Sequence, residues 1–392
     1  MKEHRDIFTD EIRIPDVVLR KADDAFARIQ KEGNLEMNRK KEQKKKKRRN
    51  FLRRQTAAAA CICLLVAAGI TATAAIHRLW SRGMQGTVRA TQMQQQELIE
   101  QGVATVLEET ESPENLSVTD GAITITPQTV IVDSHFAHIS FLVEGYAPDG
   151  NVEPAFEFTE AWLGEDPDAE NAQASINASF YNGIVSDENG NPVYEDGTAL
   201  ESDGDGRLIS RYQDESGRLE YIVSVHSSDP QSSLSGQTLH VSLSNLGTVS
   251  KAEYIPAQEG NWEFAIPLSD SDSTVSFPAD SPIDGTGFVL KSVDLSPISA
   301  TIRYDADPPG EIREDETGIP HFMGVVLEDG TRLPYLADGG SDRYTDETMT
   351  SAYTMSRFDR VIDPRAVTSI LILTEAGTDM QEVPLRRESV SE

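Results

Sequence analysis

Residues 114–146 read ENLSVTDGAITITPQTVIVDSHFAHISFLVEGY, and this stretch decides the predicted fold. Apolar and polar residues alternate over 122–126, residues 129–132 are all β-branched, and residues 138–143 are rich in large apolar side chains. A period of two and a β-branched composition are typical of strands that bury one face. The stretch therefore predicts three consecutive strands.

Short apolar runs of the same kind continue toward the C-terminus. They lie at 219–225, 238–243, 262–266, 287–293, 299–304, 323–327 and 367–373, with Asp-, Asn- and Gly-rich turns between many of them. Many short strands separated by turns are typical of β-sandwiches. A linking segment near 250–258 divides these runs into two groups. We therefore expect a first β domain over 111–255 and a second, immunoglobulin-like β domain over 256–388.

An apolar segment at 55–77, QTAAAACICLLVAAGITATAAIH, carries no formal charge. As a helix rising about 1.5 Å per residue it would reach roughly 34 Å, enough to cross a hydrocarbon core of about 30 Å. The sequence thus predicts one transmembrane helix. The expected fold class is a mainly β extracytoplasmic region with a short N-terminal helix and one transmembrane helix. Trp80 follows at the place of an interfacial aromatic anchor.

A basic run precedes the apolar segment. Residues 39–54 hold eleven basic residues and one acidic residue, so the positive-inside rule places the N-terminus in the cytoplasm and the C-terminal region outside the cell membrane. The basic side chains expected to contact membrane lipids are Lys44, Lys45, Lys46, Lys47, Arg48, Arg49, Arg53 and Arg54. An alternative is translation from Met37, with a signal peptide cleaved near Ala74.

Charge divides the chain into two parts. Residues 1–77 have a net charge of +8, whereas residues 78–392 have a net charge of −38. From 90 to 206 there are 24 acidic residues and no Lys or Arg, and such a stretch repels nucleic acid. We therefore expect no nucleic-acid partner for the acidic region.

The basic arm, residues 1–54, contains a predicted amphipathic helix at 14–29. Apolar residues recur there at helical spacing, and charged residues occupy the other face. Sixteen residues form only a marginal helix in water, so a partner or the membrane is expected to stabilise it. The residues hypothesised to bind a protein partner are Val18, Leu19, Ala22, Phe26 and Ile29. Residues 78–110 are predicted to form a polar, Gln-rich helical stalk.

Catalytic and cofactor motifs are not apparent. Asp133, Ser134 and His135 contain the residue types of a hydrolase triad, but such triads are spatial arrangements, and no Gly-x-Ser-x-Gly elbow occurs. The stretches at 187–191 and 201–206 resemble fragments of calcium loops, and turn chemistry explains them equally well. Cys61 and Cys63, the two cysteines, lie in the apolar segment and lack further zinc ligands nearby. The prediction is a protein that is not an enzyme and has no cofactor, metal or small-molecule substrate.

The order of these segments resembles a known family. A segment IPDVVLRKADDAFARI at 14–29, a Lys/Arg run, one apolar segment and the stretch at 114–146 are together similar to the domain-of-unknown-function family 4179 of Gram-positive bacteria. The segments GNWEFAIPL at 260–268 and FVLKSVDLSPISATIRYDAD at 288–307 look like the immunoglobulin-like domain that often follows it.

The resemblance implies an anti-sigma-factor-like regulator whose arm binds an extracytoplasmic-function sigma factor. The chain departs from zinc-binding anti-sigma factors, since it lacks their His-x-x-x-Cys-x-x-Cys ligands. One alternative is a membrane-tethered surface module, binding or structural, without sigma-factor contact. An exported enzyme is a further alternative, which the missing catalytic motifs disfavour.

Overall fold

The computed structural model describes residues 80–107, 116–148, 151–164, 174–187, 190–227, 230–271, 273–306, 318–345, 349–373 and 380–386. The chain in these ranges begins with two short helices, α1 (Arg82–Thr87) and α2 (Gln92–Glu100), and a strand, β1 (Ala104–Val106). Ser81 caps α1, and Thr91 forms a capping box with Gln94 at the start of α2. Residues 80–106 are called the connector below.

The first β domain packs two antiparallel sheets against each other. Its strands after β1 are β2 (Val118–Asp120), β3 (Ile123–Val132), β4 (Phe136–Glu144), β5 (Glu153–Leu163), β6 (Ser175–Phe180), β7 (Ile184–Ser186), β8 (Pro192–Tyr194), β9 (Leu219–His226), β10 (Thr238–Ser250) and β11 (Glu253–Pro267). The larger sheet has the order β1-β3-β4-β9-β6, with β2 also on β3, and the smaller sheet has the order β11-β10-β5. Strands β7 and β8 form a separate hairpin.

The second β domain repeats this two-layer arrangement. Its strands are β12 (Val275–Ile283), β13 (Phe288–Leu295), β14 (Ser299–Ala306), β15 (His321–Leu327), β16 (Arg332–Leu333), β17 (Ala337–Tyr344), β18 (Ser351–Phe358), β19 (Val367–Leu373) and β20 (Met380–Pro384). One sheet has the order β12-β13-β14-β18-β17 and the other β16-β15-β19-β20. A 3₁₀ turn, Pro364–Ala366, leads into β19.

Each domain has its own apolar core, as the alternating strands predict. In the first, Ile139 and Val223 of the larger sheet meet Val241 and Trp262 of the smaller sheet, and all four are essentially buried. The second core begins at Phe277, while the first ends at Leu268. The division between the domains therefore falls at about 269–274 and not at the expected 250–258, which lies within the β10–β11 hairpin.

The Asp-Gly segments form tight hairpins that share one backbone pattern. In 203–207, for example, the Asp203 N–H donates to the Arg207 carbonyl, and the Gly206 N–H donates to the Asp203 carbonyl. The same two bonds occur in 194–198, 214–218 and 327–331, with Gly197, Gly217 and Gly330 at positive φ like Gly206. This is the three-residue hairpin loop in which a left-handed residue follows a type I turn, a conformation that favours glycine. The Asp- and Gly-rich turns that the sequence predicts between strands are therefore confirmed at 195–197, 215–217 and 328–330.

The expected fold class needs correction. The described residues are mainly β in several sheets, and none of their helices is long and apolar enough to cross a membrane. The expected class is a mainly β region with a short N-terminal helix and one transmembrane helix, whereas the described residues form a mainly β fold with two short α-helices. The segments expected at 1–54 and 55–77 lie outside the described residues.

The expected stalk is also corrected. Over 80–107 the chain forms α1, α2 and β1, and β1 pairs with β3 in the larger sheet of the first domain. Leu98, Val103 and Ala104 are buried, so the connector packs onto the β domains and does not extend from them.

Candidate functional site

The connector is packed at the junction of the two β domains. A small apolar cluster contains Trp80, Met84 and Val88 from the connector, Ile131 from the first domain, and two residues from the second, Ile298 and Val361. Each of these side chains is at most 7% exposed. Burial of apolar area from three parts of the chain stabilises all of them together. The junction is the feature of the fold that we consider as a candidate functional site.

A carboxylate from the first domain holds the start of α1. Glu220, on β9, accepts hydrogen bonds from the backbone N–H groups of Arg82 and Gly83. These are N–H groups of the first helical turn, which have no partner within the helix. Burial raises the pKa of Glu220, although hydrogen bonds to the backbone oppose that shift. The side chain of Arg82 forms an ion pair with Glu195 (2.6 Å), which adds a second attachment to the first domain.

Arg89 attaches the end of the same segment to the second domain. Its backbone N–H donates to the carbonyl of Asp359 (2.8 Å), and its carbonyl accepts from the N–H of Val361 (2.8 Å). Its guanidinium pairs with the Asp359 carboxylate and also donates to the carbonyl of Ser186 in the first domain. Arg89 therefore contacts both domains.

Direct contacts between the domains surround the connector. Asp133, in the turn between β3 and β4, accepts hydrogen bonds from the hydroxyls of Ser296 and Ser299 at the turn between β13 and β14. Its other carboxylate oxygen accepts from the backbone N–H groups of His135 and Phe136. Asp133 is 4% exposed, so these bonds are formed away from water.

An aromatic contact and a histidine complete this interface. Phe136 of the first domain packs with Tyr353 and Met355 of the second. His138, on β4, is fully buried, and its Nδ1 lies 2.8 Å from the hydroxyl of Ser224. Burial, together with the nearby Arg357 of the second domain, lowers the pKa of His138 to about 3. His138 is therefore neutral at ordinary pH.

Two clefts flank α1. One has a volume of about 290 Å³ and is lined from both domains, including Arg89, Ser224 and Arg357. The other has a volume of about 460 Å³ and lies between the connector and the first domain, with Trp80, Gln95 and Tyr181 in its walls. Gly86 lines both clefts, and a Cβ at this position would lie 2.2 Å from the Tyr181 ring. The glycine is therefore required for α1 to approach the first domain.

Most predicted site residues cannot be placed. The hypothesised partner-binding residues Val18, Leu19, Ala22, Phe26 and Ile29 lie outside the described residues. The same holds for the flanking residues Lys44, Lys45, Lys46, Lys47, Arg48, Arg49, Arg53 and Arg54. Trp80 is described, and its expected role as a membrane anchor is corrected, because the side chain is 2% exposed and packs inside the protein.

The sequence pattern does not predict which residues hold the junction together. Arg82 and Arg89 are the only Lys or Arg residues between 79 and 206, and isolated arginines in an acidic stretch are a usable indication of specific pairing. The sequence shows Asp133 only beside Ser134 and His135, with which it supplies the residue types of a catalytic triad. In the structure its carboxylate is instead used to join the two domains.

The acidic turns use their carboxylates locally. Asp203 accepts from the N–H groups of Asp205 and Arg207, and Asp214 accepts from those of Ser216 and Arg218. Within the described ranges, no group of three or more His, Cys, Asp or Glu residues is arranged to hold a metal ion.

The fold and the junction define a two-domain β protein with a connector packed between the domains. Neither a protein-family model nor a curated protein matches the sequence. A solved structure described as the conserved domain protein from Bacillus anthracis is similar, with a TM-score of 0.42 and 14% identity. The match covers 68% of this chain and 80% of that protein. A likeness of this degree carries no argument about function.

Proposed function

We propose that this protein is a regulator resembling anti-sigma factors, in which the state of the β domains is coupled to an N-terminal arm that binds an extracytoplasmic-function sigma factor. The observation that supports the proposal is the position of the connector. Residues 80–106 lie directly C-terminal to the arm and the apolar segment, and they are bonded to both β domains.

The coupling follows from where these bonds are made. Arg82 and Gly83 are held by Glu220 of the first domain, while Arg89 is held by Asp359 and Val361 of the second. The attachments at residues 82–83 and at residue 89 are separated by about two helical turns. A change in the arrangement of the two β domains must therefore strain or release one of them. A ligand or stress that favours one arrangement thereby changes the free energy of the connector.

The arm is the segment that we propose binds the sigma factor. Val18, Leu19, Ala22, Phe26 and Ile29 form one apolar stripe on the predicted helix at 14–29. An amphipathic helix of this kind commonly binds by placing its apolar face in a groove of another protein. The proposed groove belongs to the sigma factor, and no zinc ion is needed for the contact.

The test is co-purification of the full chain with each extracytoplasmic-function sigma factor of its organism. We expect one of them to bind the wild type and not Phe26→Asp. Ala27→Asp is the matched control, because it introduces the same charge about 100° further round the predicted helix, on the face opposite the centre of the apolar stripe. Equal capture by all three proteins, or capture of no sigma factor, would favour the alternative of a binding or structural module without sigma-factor contact.

A further inference from the structure

Two histidines of the first β domain lie close to its contact with the second. His138 of β4 and His226 of β9 are on the outer face of the larger sheet, because their neighbours along each strand belong to the core. His226 lies opposite Phe136 in the strand register, and the two rings stack with their centroids 5.7 Å apart. Phe136 in turn packs against Tyr353 and Met355 of the second domain. Both histidines therefore belong to the interface between the domains.

The surroundings of His138 suit a neutral imidazole. The side chain is fully buried, and its Nδ1 lies 2.8 Å from the hydroxyl of Ser224. Its Nε2 is buried without a hydrogen bond in the part of the chain that the structure describes. A protonated imidazole donates from both nitrogens, and a buried donor that lacks an acceptor is costly. The closed interface therefore disfavours protonated His138.

The second domain adds positive charge on its side of the interface. Burial lowers the pKa of both histidines, and the positive charge of Arg357 on β18 lowers it further. Arg343 on β17 also lowers the pKa of His226. Protonation of the histidines would thus place like charges on the two sides of one interface, where they repel.

One carboxyl at the junction acts in the opposite direction. Partial burial raises the pKa of Asp338, so this group favours the closed form as the pH falls. Its side chain is 54% exposed and pairs with Arg357 (3.3 Å) inside the second domain. Because this pair does not cross the interface, its surroundings change less than those of His138 when the domains separate.

The other ionisable groups at the junction have different contacts. Glu220 holds the start of α1, a contact that does not cross between the β domains, and Asp359 pairs with Arg89. Asp133, beside His135 in the β3–β4 turn, accepts from two serine hydroxyls of the second domain. None of these carboxylates is bonded to His138 or to His226 within the described ranges.

We propose that mild acid opens the interface between the two β domains by protonating His138 and His226. In the open arrangement both imidazoles reach water, where a histidine titrates near pH 6.5. The open form then binds protons more tightly than the closed form, so opening becomes more favourable as the pH falls below about 6.5. The inference concerns the arrangement of the domains and stands whether or not the arm binds a sigma factor.

The test is single-molecule fluorescence energy transfer on the full chain. Glu263→Cys and Asp284→Cys, at exposed positions of the first and second β domains, carry the dyes, and Cys61 and Cys63 are replaced by alanine. A second population, with a different transfer efficiency, should grow as the pH is lowered from 7.5 to 5.0. A histidine whose pKa is about 3 in the closed form should raise the ratio of open to closed molecules by up to roughly thirtyfold over this range.

Variants assign the response to the interface histidines. His138→Gln/His226→Gln removes both titrations, so its ratio should stay nearly constant. His321→Gln is the matched control, because His321 is an exposed histidine that pairs with Asp342 (3.0 Å) within the second domain, and this variant should respond as the wild type does. If the double variant folds poorly, His226→Gln alone, at a half-buried position, should still reduce the rise.

Far-UV circular dichroism separates opening from unfolding, since separated domains keep their strands. A constant ratio in the wild type, or a rise accompanied by loss of the strand signal, would overturn the inference. An equal rise in the histidine variants would overturn it as well, and the sigma-factor proposal would be left to its own test.

Discussion

Asp133 of the first β domain accepts a hydrogen bond of 2.5 Å from the hydroxyl of Ser299 in the second β domain. The same carboxylate also accepts hydrogen bonds from the Ser296 hydroxyl and from two backbone N–H groups. Four donors therefore depend on one buried side chain. We expect Asp133→Ala to lower the free energy of unfolding by about 2–4 kcal/mol, because the donors lose their acceptor where water is excluded. Urea denaturation followed by intrinsic fluorescence measures the change.

Asp329→Ala is the matched control for that experiment. Asp329 also accepts a backbone N–H, that of Thr331, but it does so in an exposed turn. Its loss should change the urea midpoint much less than the loss of Asp133. Similar midpoints for the two variants would show that the junction does not depend on the Asp133 contacts.

Glu220→Ala should release the start of α1. Removing the carboxylate leaves the N–H groups of Arg82 and Gly83 without an acceptor, which should favour local opening by about 2 kcal/mol, or roughly thirtyfold in population. Trypsin reports this opening directly, since Arg82 and Arg89 are the only cleavage sites between 79 and 206. Mass spectrometry should show faster cleavage after these arginines than in Glu253→Ala, an exposed-residue control. An unchanged cleavage rate would mean that Glu220 does not hold the connector.

His138 should make the protein less stable in acid. Its pKa is about 3 in the folded protein, lowered by burial and then by Arg357, whereas an unfolded histidine titrates near pH 6.5. Between these values the unfolded chain binds more protons, so the free energy of unfolding falls as the pH falls, by up to about 1.4 kcal/mol per pH unit from this residue. The comparison is with His138→Gln, whose stability should decline less steeply from pH 6.5 to pH 4. Parallel pH profiles for the two proteins would contradict the assignment.

Trp262 should be essential to the first domain. It is completely buried between the two sheets, and its Nε1 donates to the carbonyl of Ile123. Trp262→Ala should lower the free energy of unfolding by about 3–5 kcal/mol, as truncation of a core aromatic does. Phe158→Ala, which removes a ring that is 49% exposed, should have a much smaller effect. Comparable losses in the two variants would place Trp262 outside the core.

Alternation is a good guide to strands that bury one face, such as β11, in which buried and exposed residues alternate over its second half, whereas β4 is buried on both faces. Ile123–Val132 was expected as two runs and is one strand, with an irregularity between Pro127 and Thr129. Proline lacks the N–H that a regular ladder uses, and an irregular position tolerates it. The proline therefore interrupts the sequence pattern without ending the strand.

The predicted domain boundary at 250–258 differs from the observed division because one turn has unusual residues. Lys251 and Ala252 both have positive φ at the tip of the β10–β11 hairpin, where Asn-Gly would be the recognisable sequence. The predicted stalk at 78–110 differs from the packed connector for another reason. Gln95 is buried through amide hydrogen bonds, so a polar helix that lies inside the protein has the composition of an exposed one.

The attachment of Arg89 to Asp359 spans 270 residues of sequence. During synthesis at about 5–20 residues per second, the ribosome needs roughly 15–50 s to make that intervening chain. The connector therefore leaves the ribosome long before its anchor in the second domain exists. Each newly made molecule passes through a period in which the contacts between the connector and the second domain cannot form, and this period lasts at least until Asp359 has been synthesised.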